Sequence, residues 1–281
     1  ASVPPIFKFT NSPMNSSRLA VPIVSLDTDF RRALSVAREL GVGGIEIDGR
    51  YGIDLLTLSE TGVRQIRKWL DDAGLQVAAV SFPTRRGYSD QDQLEARVGA
   101  TKQMMLQAQR LGATVLLGRL GDIPAKEDSG NWQVLIDVLT DLGRTGQQAG
   151  AFFCAEAGQS SPEDLRQVIE AVPEGSLQVH LVTGALLVHG YDPAEAAMTL
   201  AADIGYVHAT DAVAGAFAGH GRAVPLGTGQ VDVPPVLAVL EERGYRGWVA
   251  VEAVSTHRAE ATKELLAAVN QLVNEDLSNK I

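Results

Sequence analysis

A short pattern repeats along the chain: a helical stretch ends near a glycine, and a short apolar stretch follows at once. It occurs as ARELGVGGIEI (37–47), AQRLGATVLLG (108–118) and EERGYRGWVAVEA (241–253). A glycine after a helix typically takes the left-handed cap conformation, and a short turn then leads into a buried strand. The repetition therefore predicts alternating helices and parallel strands, joined by right-handed crossovers.

About eight such strands can be placed, with helices between them and a last helix over 257–275. Eight strand–helix units in 281 residues fit a closed (β/α)₈ TIM barrel, an α/β fold in a single domain. An open doubly wound sheet is the alternative, but no GxGxxG or phosphate-binding loop follows the first strand. We expect a lead-in over 1–18 and the barrel over 19–281. The predicted strands are 20–25, 44–48, 76–82, 114–118, 151–157, 177–182, 204–209 and 247–253.

Charge and cysteine content narrow the class of partner. The formal net charge of −10 leaves no broad basic surface for a nucleic-acid backbone. No apolar run approaches the ~20 residues of a membrane span, and the first residues lack the apolar centre of a signal peptide. The single cysteine, Cys154, excludes an internal disulfide and suits a reducing compartment. We expect a cytoplasmic protein that binds a small molecule and has no nucleic-acid or membrane partner.

Polar side chains close several predicted strands, at the barrel end where ligands bind in this architecture. Burying a glutamate there costs several kcal/mol unless it is paired, protonated or bound to a metal. One such carboxylate fits a salt bridge to a loop equally well, but two glutamates and a histidine at one end form a candidate divalent-metal set. The same carboxylates could exchange a proton at a carbon next to a carbonyl. The strand-end residues are Glu46, Asp48, Ser81, Glu156, His208, Asp211 and Glu252.

The last third of the chain carries an ordered set of motifs. VHATDA (207–212) is followed by PLGTGQVD (225–232), a helical stretch, GYRG (244–247) and a strand that ends in Glu252. With these motifs, the chain resembles the xylose-isomerase-like TIM barrels, a group of sugar isomerases, epimerases and dehydratases that also includes endonuclease IV. The resemblance covers nearly the whole chain. It implies a TIM barrel and a small sugar or polyol substrate.

The resemblance also implies a metal site. In the sugar-converting members, a glutamate, an aspartate, a histidine and a glutamate on the last four barrel strands hold one divalent ion: Mn, Mg, Co or Zn. Glu156, His208 and Glu252 match the first, third and fourth of these ligands. The two glutamates are further implied to be the catalytic pair that exchanges the proton on either side of the substrate carbon, while the metal polarises the carbonyl.

The second ligand position departs from the family pattern. Where the family often reads DxGH, this chain reads VTGA, with Val182 and Ala185 at the metal and substrate positions. Three interpretations stay open: a metal held by the three remaining ligands and water, replacement of the missing ligand by His180, or a barrel that works without metal. His180 lies two residues before Val182, about 6.5 Å deeper along the strand, and a hydrogen-bonded core histidine is the plainer interpretation.

Two loops and one strand end supply candidate substrate-binding residues. Arg85 and Arg86, in SFPTRRGY (81–88), fit an anionic substrate group, although an exposed basic loop explains them as well. His220 and Arg222 lie in a glycine-rich stretch (214–224) that is typical of a flap over a substrate. Asp211 is suited to bind substrate or to orient His208.

These residues predict an isomerase or epimerase that removes a proton next to a carbonyl of a small sugar or polyol. A lyase or dehydratase acting on a keto-sugar shares that first step and is an alternative. A metal-free or catalytically weak sugar-binding barrel is the other alternative, favoured by Val182 and Ala185. Related barrels often form dimers or tetramers, so a homo-oligomer is compatible with the chain. DNA repair is a poor fit, since the chain is acidic and has five histidines.

Overall fold

The structure, a computed structural model, describes residues 15–27, 29–51 and 53–274. Eight parallel strands close into a barrel with helices between them, so the predicted single-domain (β/α)₈ fold is confirmed. The barrel strands are β1 (Leu19–Pro22), β2 (Gly44–Asp48), β3 (Gln76–Ser81), β4 (Val115–Gly118), β5 (Phe152–Ala157), β6 (Gln178–Val182), β7 (Ile204–Ala209) and β10 (Trp248–Val251). Their order around the barrel is β1-β10-β7-β6-β5-β4-β3-β2.

The helices of the described residues are α1 (Phe30–Glu39), α2 (Glu60–Ala73), α3 (Leu94–Leu111), α4 (Ser129–Ala149), α5 (Pro162–Ala171), α6 (Thr183–Val188), α7 (Pro193–Leu200), α8 (Val233–Glu242) and α9 (Arg258–Asn274). Two helices rather than one join β6 to β7. The break arises at Asp192, whose side chain accepts hydrogen bonds from the backbone N–H groups of Ala194 and Glu195 and so starts α7.

The repeated helix–glycine–strand pattern folds as expected. Ser59 caps the start of α2 by accepting a hydrogen bond from the Gly62 N–H. Gly74 (φ 69°) ends α2 and Gly150 (φ 80°) ends α4, both in the left-handed conformation that disfavours other residues. In each case the strand that enters the barrel begins two residues later.

Apolar side chains fill two separate regions. The larger lies between the helices and the outer faces of the strands, and the smaller fills the barrel interior. The smaller cluster consists of Ala20, Ala78, Ala79, Val115, Leu117, Cys154, Tyr206 and Ala250, with Trp248 packed against it. Four of these eight are alanines, so the interior has room for the large polar rings of β6 and β7.

The segment after β7 forms a small sheet of its own. Strands β8 (Asp211–Ala214) and β9 (Gly221–Val224) pair antiparallel, with Asp211 opposite Val224. The glycine-rich stretch that we interpreted as a flap is therefore a β-hairpin, with residues 215–220 at its tip.

At the other end of the chain, β1 is shorter than predicted, since a 3₁₀ turn (Ile23–Ser25) follows Pro22. Residues 1–14 of the predicted lead-in lie outside the described residues, as do 275–281. Of the remainder, Arg18 is tied to the barrel: its Nε donates to the Gly247 carbonyl at 3.2 Å. None of the helices described has the length and apolar character needed to cross a membrane.

Candidate active site

The carboxyl ends of the barrel strands surround a cavity of about 200 Å³. This is the end of the barrel where strand-end polar residues were expected to meet. Residues of seven barrel strands or the loops directly after them line it. The lining residues are Glu46, Ser81, Pro83, Leu117, Gly118, Arg119, Glu156, His180, Val182, His208 and Glu252.

The alternation of side chains along each strand explains why the expected residues face this cavity. Three of them lie two positions after a residue of the inner cluster, and side chains two apart share a face. Glu156 follows Cys154 in this way, His208 follows Tyr206, and Glu252 follows Ala250. The structure thus brings together Glu156, His208 and Glu252, the set that the sequence pointed to.

A chain of three buried polar side chains forms the floor of the cavity. His208 Nε2 lies 2.8 Å from Glu46 Oε2, and His208 Nδ1 lies 3.0 Å from His180 Nε2. All three residues are at most 7% exposed. The bond to Glu46 crosses the barrel interior, because β2 and β7 are three places apart in the ring of strands.

The protonation states of the two histidines follow from their surroundings. Burial alone lowers the pKa of His208, but the negative charges of Glu46 and Glu252 outweigh burial and raise the pKa to about 9. The imidazolium then donates from Nε2 to Glu46 and from Nδ1 to His180 Nε2. Burial, together with the charge of His208, lowers the pKa of His180 well below its ordinary value, which leaves His180 neutral and able to accept.

Glu156 is paired with an arginine. Arg119 comes directly after β4, and its Nε donates to Glu156 Oε2 at 2.9 Å. The glutamate side chain is 19% exposed and the arginine side chain 53%, so the pair stands at the open side of the cavity. The guanidinium also helps to lower the pKa of His180, which places its positive charge near the floor.

Of the three glutamates that line the cavity, Glu252 is the one whose carboxylate has no partner among the described residues. It is exposed and lines the cavity. The described part of the chain makes no hydrogen bond or ion pair to its side chain. In the ring of strands, β10 lies opposite β4, so Glu252 and Arg119 approach the cavity from opposite sides.

These side chains, as arranged, do not fit a metal ion. Both ring nitrogens of His208 are engaged, His180 Nε2 is taken by His208, and Glu156 is paired with Arg119. Val182 offers no donor atom at the position where the resemblance implies an aspartate. Within residues 15–27, 29–51 and 53–274, no group of three or more His, Cys, Asp or Glu is placed to hold a metal.

Asp211, expected to bind substrate or to orient His208, lies outside the cavity lining. It is 2% exposed, and its carboxylate accepts hydrogen bonds from four backbone N–H groups. The donors are Ala212, Gly227, Gly229 and Val231. The aspartate and the glycines of PLGTGQVD thus form one structural unit, because the loop wraps the carboxylate with its own backbone.

The other candidate substrate-binding residues also lie outside the cavity lining. Arg86 pairs with Asp90 and Asp92, at 2.9 and 3.3 Å. Arg85 is exposed in the loop after β3, and His220 and Arg222 are exposed on the hairpin. Their contact with substrate stays a prediction.

Two charged residues of the cavity lining were not among the candidate site residues. Glu46 was noted as a strand-end carboxylate, but nothing in the sequence pairs it with His208, 162 residues away. Arg119 follows the apolar strand VLLG directly and satisfies the same strand-end rule that identified the glutamates. A search of the sequence for basic as well as acidic residues at strand ends identifies Arg119.

Comparisons with known proteins agree with this architecture. The family model for the xylose isomerase-like TIM barrel matches residues 34–272. An inosose dehydratase from Clostridium beijerinckii is 23% identical over 264 residues, covering 83% of this chain and 85% of the relative. The crystal structure of a xylose isomerase domain protein from Planctomyces limnophilus superposes with a TM-score of 0.79 at 23% identity, covering 92% of this chain and 98% of the other.

A further solved structure is a xylose isomerase-like TIM barrel protein from Mycobacterium smegmatis in complex with magnesium. Its TM-score is 0.70 at 18% identity, and the match covers 92% of this chain and 98% of the other. Both structural matches show a shared fold, and the family model covers most of the chain. The resemblance read from the motifs of 207–253 is thereby confirmed, and the chain belongs to the xylose isomerase-like TIM barrel family.

Proposed function

We propose that this chain is an enzyme that isomerises or epimerises a small sugar or polyol by moving a proton at the carbon next to a carbonyl. The observation that carries the proposal is the placement of Glu156 and Glu252 around one cavity, with two strands between theirs in the ring. A substrate carbon between them has a carboxylate on either side. Removal of a proton by one carboxylate, and delivery of a proton by the other in its protonated form, changes the configuration or the position of the carbonyl.

Glu252 is the better placed of the two to take the first proton. Its carboxylate has no protein partner within the described residues, so its oxygens remain free to accept. Glu156 uses Oε2 to hold Arg119, and Oε1 has no hydrogen bond to the described residues. We assign proton removal to Glu252 and proton return to Glu156. Glu156 takes up a solvent proton on Oε1 before it delivers a proton to carbon, and Glu252 then releases the proton that it removed to solvent.

The buried Glu46–His208–His180 chain supports this chemistry from below. Both N–H groups of His208 are already donated, so its ring does not take or give the substrate proton. Its positive charge, held by Glu46, offsets part of the negative charge of the carboxylates above it. We infer that these three hydrogen-bonded side chains fix the charge and the shape of the cavity floor.

The relatives favour a sugar-like substrate. One curated relative is named inosose dehydratase, and solved structures with this fold include a D-psicose 3-epimerase and an L-ribulose 3-epimerase. All three names concern ketones of polyhydroxylated carbon chains or rings. The dehydratase relatives favour a second candidate function, in which the same proton removal is followed by loss of a hydroxyl group.

Deuterium exchange tests the proposal without knowledge of the product. The protein is incubated in D₂O with inosose, D-fructose, D-psicose, D-tagatose or L-ribulose, and proton NMR follows the signal of the C–H next to the carbonyl. We expect exchange with at least one of these ketones. An epimer or aldose supports the isomerase assignment, whereas an unsaturated ketone that absorbs ultraviolet light supports the dehydratase.

Two variants make the test specific. Glu252→Gln removes the proposed base without changing its size, and we expect exchange to fall by about 10²- to 10⁴-fold. Glu242→Gln is the matched control, because Glu242 is an exposed glutamate at the end of α8, at the opposite end of the barrel. Equal exchange by the two variants, or none by the unmodified protein with any ketone, would contradict the proposal.

A further inference from the structure

Arg119 is the one arginine or lysine among the described residues that line the cavity. Its neighbours there include three glutamates, Glu46, Glu156 and Glu252. Glu46 is matched by the buried charge of His208, and Glu156 by Arg119 itself. The net charge of the cavity therefore depends on Arg119, because its guanidinium is the positive partner of Glu156.

The guanidinium of Arg119 has N–H groups that make no hydrogen bond to the described residues. Nε is directed at Glu156, while the two terminal nitrogens carry four N–H groups that meet no acceptor in the described part of the chain. The planar fork presents two of these donors side by side, a geometry that suits an oxygen carrying negative charge. An arginine guanidinium carries a fixed positive charge, so it suits this role without a change of protonation.

Proton removal creates a charge that the cavity must accept. When Glu252 takes the proton, the electrons of the C–H bond form a carbon–carbon double bond, and the carbonyl π electrons move onto oxygen. The product of this step is an enolate, and return of a proton to carbon restores the carbonyl. An enolate among carboxylates is unfavourable unless a cation or hydrogen-bond donors meet its oxygen.

Arg119 stands where such a donor is needed. It reaches the cavity from β4, opposite Glu252. A ketone whose C–H bond faces Glu252 can therefore direct its carbonyl oxygen at the guanidinium. The bond from Nε to Glu156 at 2.9 Å holds the fork in place before substrate arrives. His208, the other cation of the cavity, has no N–H left to donate.

We propose that Arg119 binds the carbonyl oxygen of the substrate and stabilises the negative charge that develops there, taking the part that a divalent metal plays in sugar-converting members of the family. The inference rests on the proposed function for the identity of the reaction. It also explains why Val182 is tolerated at the missing ligand position, since no metal needs to be held. Glu156 becomes a positioning residue for Arg119 in addition to its part in proton return.

Binding of glycolohydroxamate tests this inference without turnover. This neutral two-carbon molecule copies the shape of an enediolate, and its affinity is measured by calorimetry after exhaustive dialysis against EDTA. We expect the unmodified protein to bind it in the chelator. Arg119→Gln should weaken binding by about 10- to 100-fold, the usual effect of a lost charged hydrogen bond, and Arg119→Lys should weaken it less.

Arg110→Gln is the matched control. Arg110 is a half-exposed arginine on α3 that pairs with Glu60 at 2.7 Å, so it resembles Arg119 in exposure and partner but lies outside the cavity lining. We expect its affinity for glycolohydroxamate to equal that of the unmodified protein. Thermal unfolding of both glutamine variants checks that each is folded.

Three results overturn the inference: no binding in the chelator, binding that appears only after Mn²⁺ is added, or equal affinity of Arg119→Gln and the unmodified protein. Deuterium exchange reports separately on the proposed function. Exchange that requires Mn²⁺ leaves the proposed reaction standing and removes Arg119 from its assigned part. Binding of glycolohydroxamate that depends on Arg119, with no exchange of any ketone, supports the part assigned to Arg119 and contradicts the proposed reaction.

Discussion

Replacing Glu46 with glutamine removes the negative charge that keeps His208 protonated in the barrel interior. The pKa of His208 is about 9 in the folded protein, against an ordinary value of 6.5. The group binds its proton more tightly when folded, so it contributes stability in full below pH 6.5, and the contribution is lost as the pH rises through 9. The full contribution is about 3 kcal/mol, of which about 2 kcal/mol is lost between pH 7 and pH 9.

Urea unfolding at pH 7, 8 and 9 measures this contribution. We expect the free energy of unfolding of the unmodified protein to fall by about 2 kcal/mol over the range, and that of Glu46→Gln to change far less. At pH 7 the variant should be less stable by about 3 kcal/mol, the lower end of the cost of breaking a buried pair. His180 does not interfere, because its lowered pKa affects stability only below pH 6.5.

The control is Glu60→Gln, which breaks an ion pair on the protein surface. Glu60 is 63% exposed, so the cost should stay within about 1 kcal/mol at every pH. Two results are incompatible with an imidazolium at His208 that Glu46 stabilises: constant stability of the unmodified protein from pH 7 to 9, or an identical pH slope in Glu46→Gln. Either would mean that His208 is not held as an imidazolium by Glu46.

Three further predictions concern Asp211, Cys154 and the pair Arg119 and Val182. Asp211→Asn should lower the free energy of unfolding in urea by about 2–4 kcal/mol, because an amide nitrogen cannot accept from the backbone N–H groups that bind this buried carboxylate. Cys154 should react with a thiol reagent only after unfolding, since burial raises its pKa and no thiolate forms; reaction of the native protein would show that the barrel interior opens. The double variant Arg119→Ser/Val182→Asp should bind Mn²⁺ more tightly than the unmodified protein, because it frees Glu156 and adds a carboxylate. Electron paramagnetic resonance measures the binding, and equal affinity of the two proteins would show that these two positions do not decide it.

The barrel and the inward direction of its glutamates could be predicted because both follow from local periodicity. Helix–glycine–strand repeats define the units, and the two-residue alternation along β5 and β10 places Glu156 and Glu252 on the face of small interior residues. These features need no knowledge of which strands are opposite. The strand–helix units and the inward direction of the two glutamates apply to any closed barrel built from this sequence.

The partners of those residues could not be predicted in the same way. Glu46 meets His208 across the barrel, and Arg119 meets Glu156 from the neighbouring strand, so both contacts depend on closure and on side-chain reach. Asp211 shows a different limit. Its residue type suggested a place near substrate, but the backbone of the following glycine-rich loop encloses it. The charges of a site are set by such partners as much as by the residues themselves.

We propose that this cavity moves a proton next to a carbonyl with protein groups alone. The most direct test is the rate of deuterium exchange into a responsive ketone, measured once in EDTA and once with saturating Mn²⁺. We predict equal rates in the two conditions and loss of exchange in both Glu252→Gln and Arg119→Gln. Exchange that appears only with Mn²⁺ and persists in Arg119→Gln would show that a metal ion, and not Arg119, stabilises the enolate.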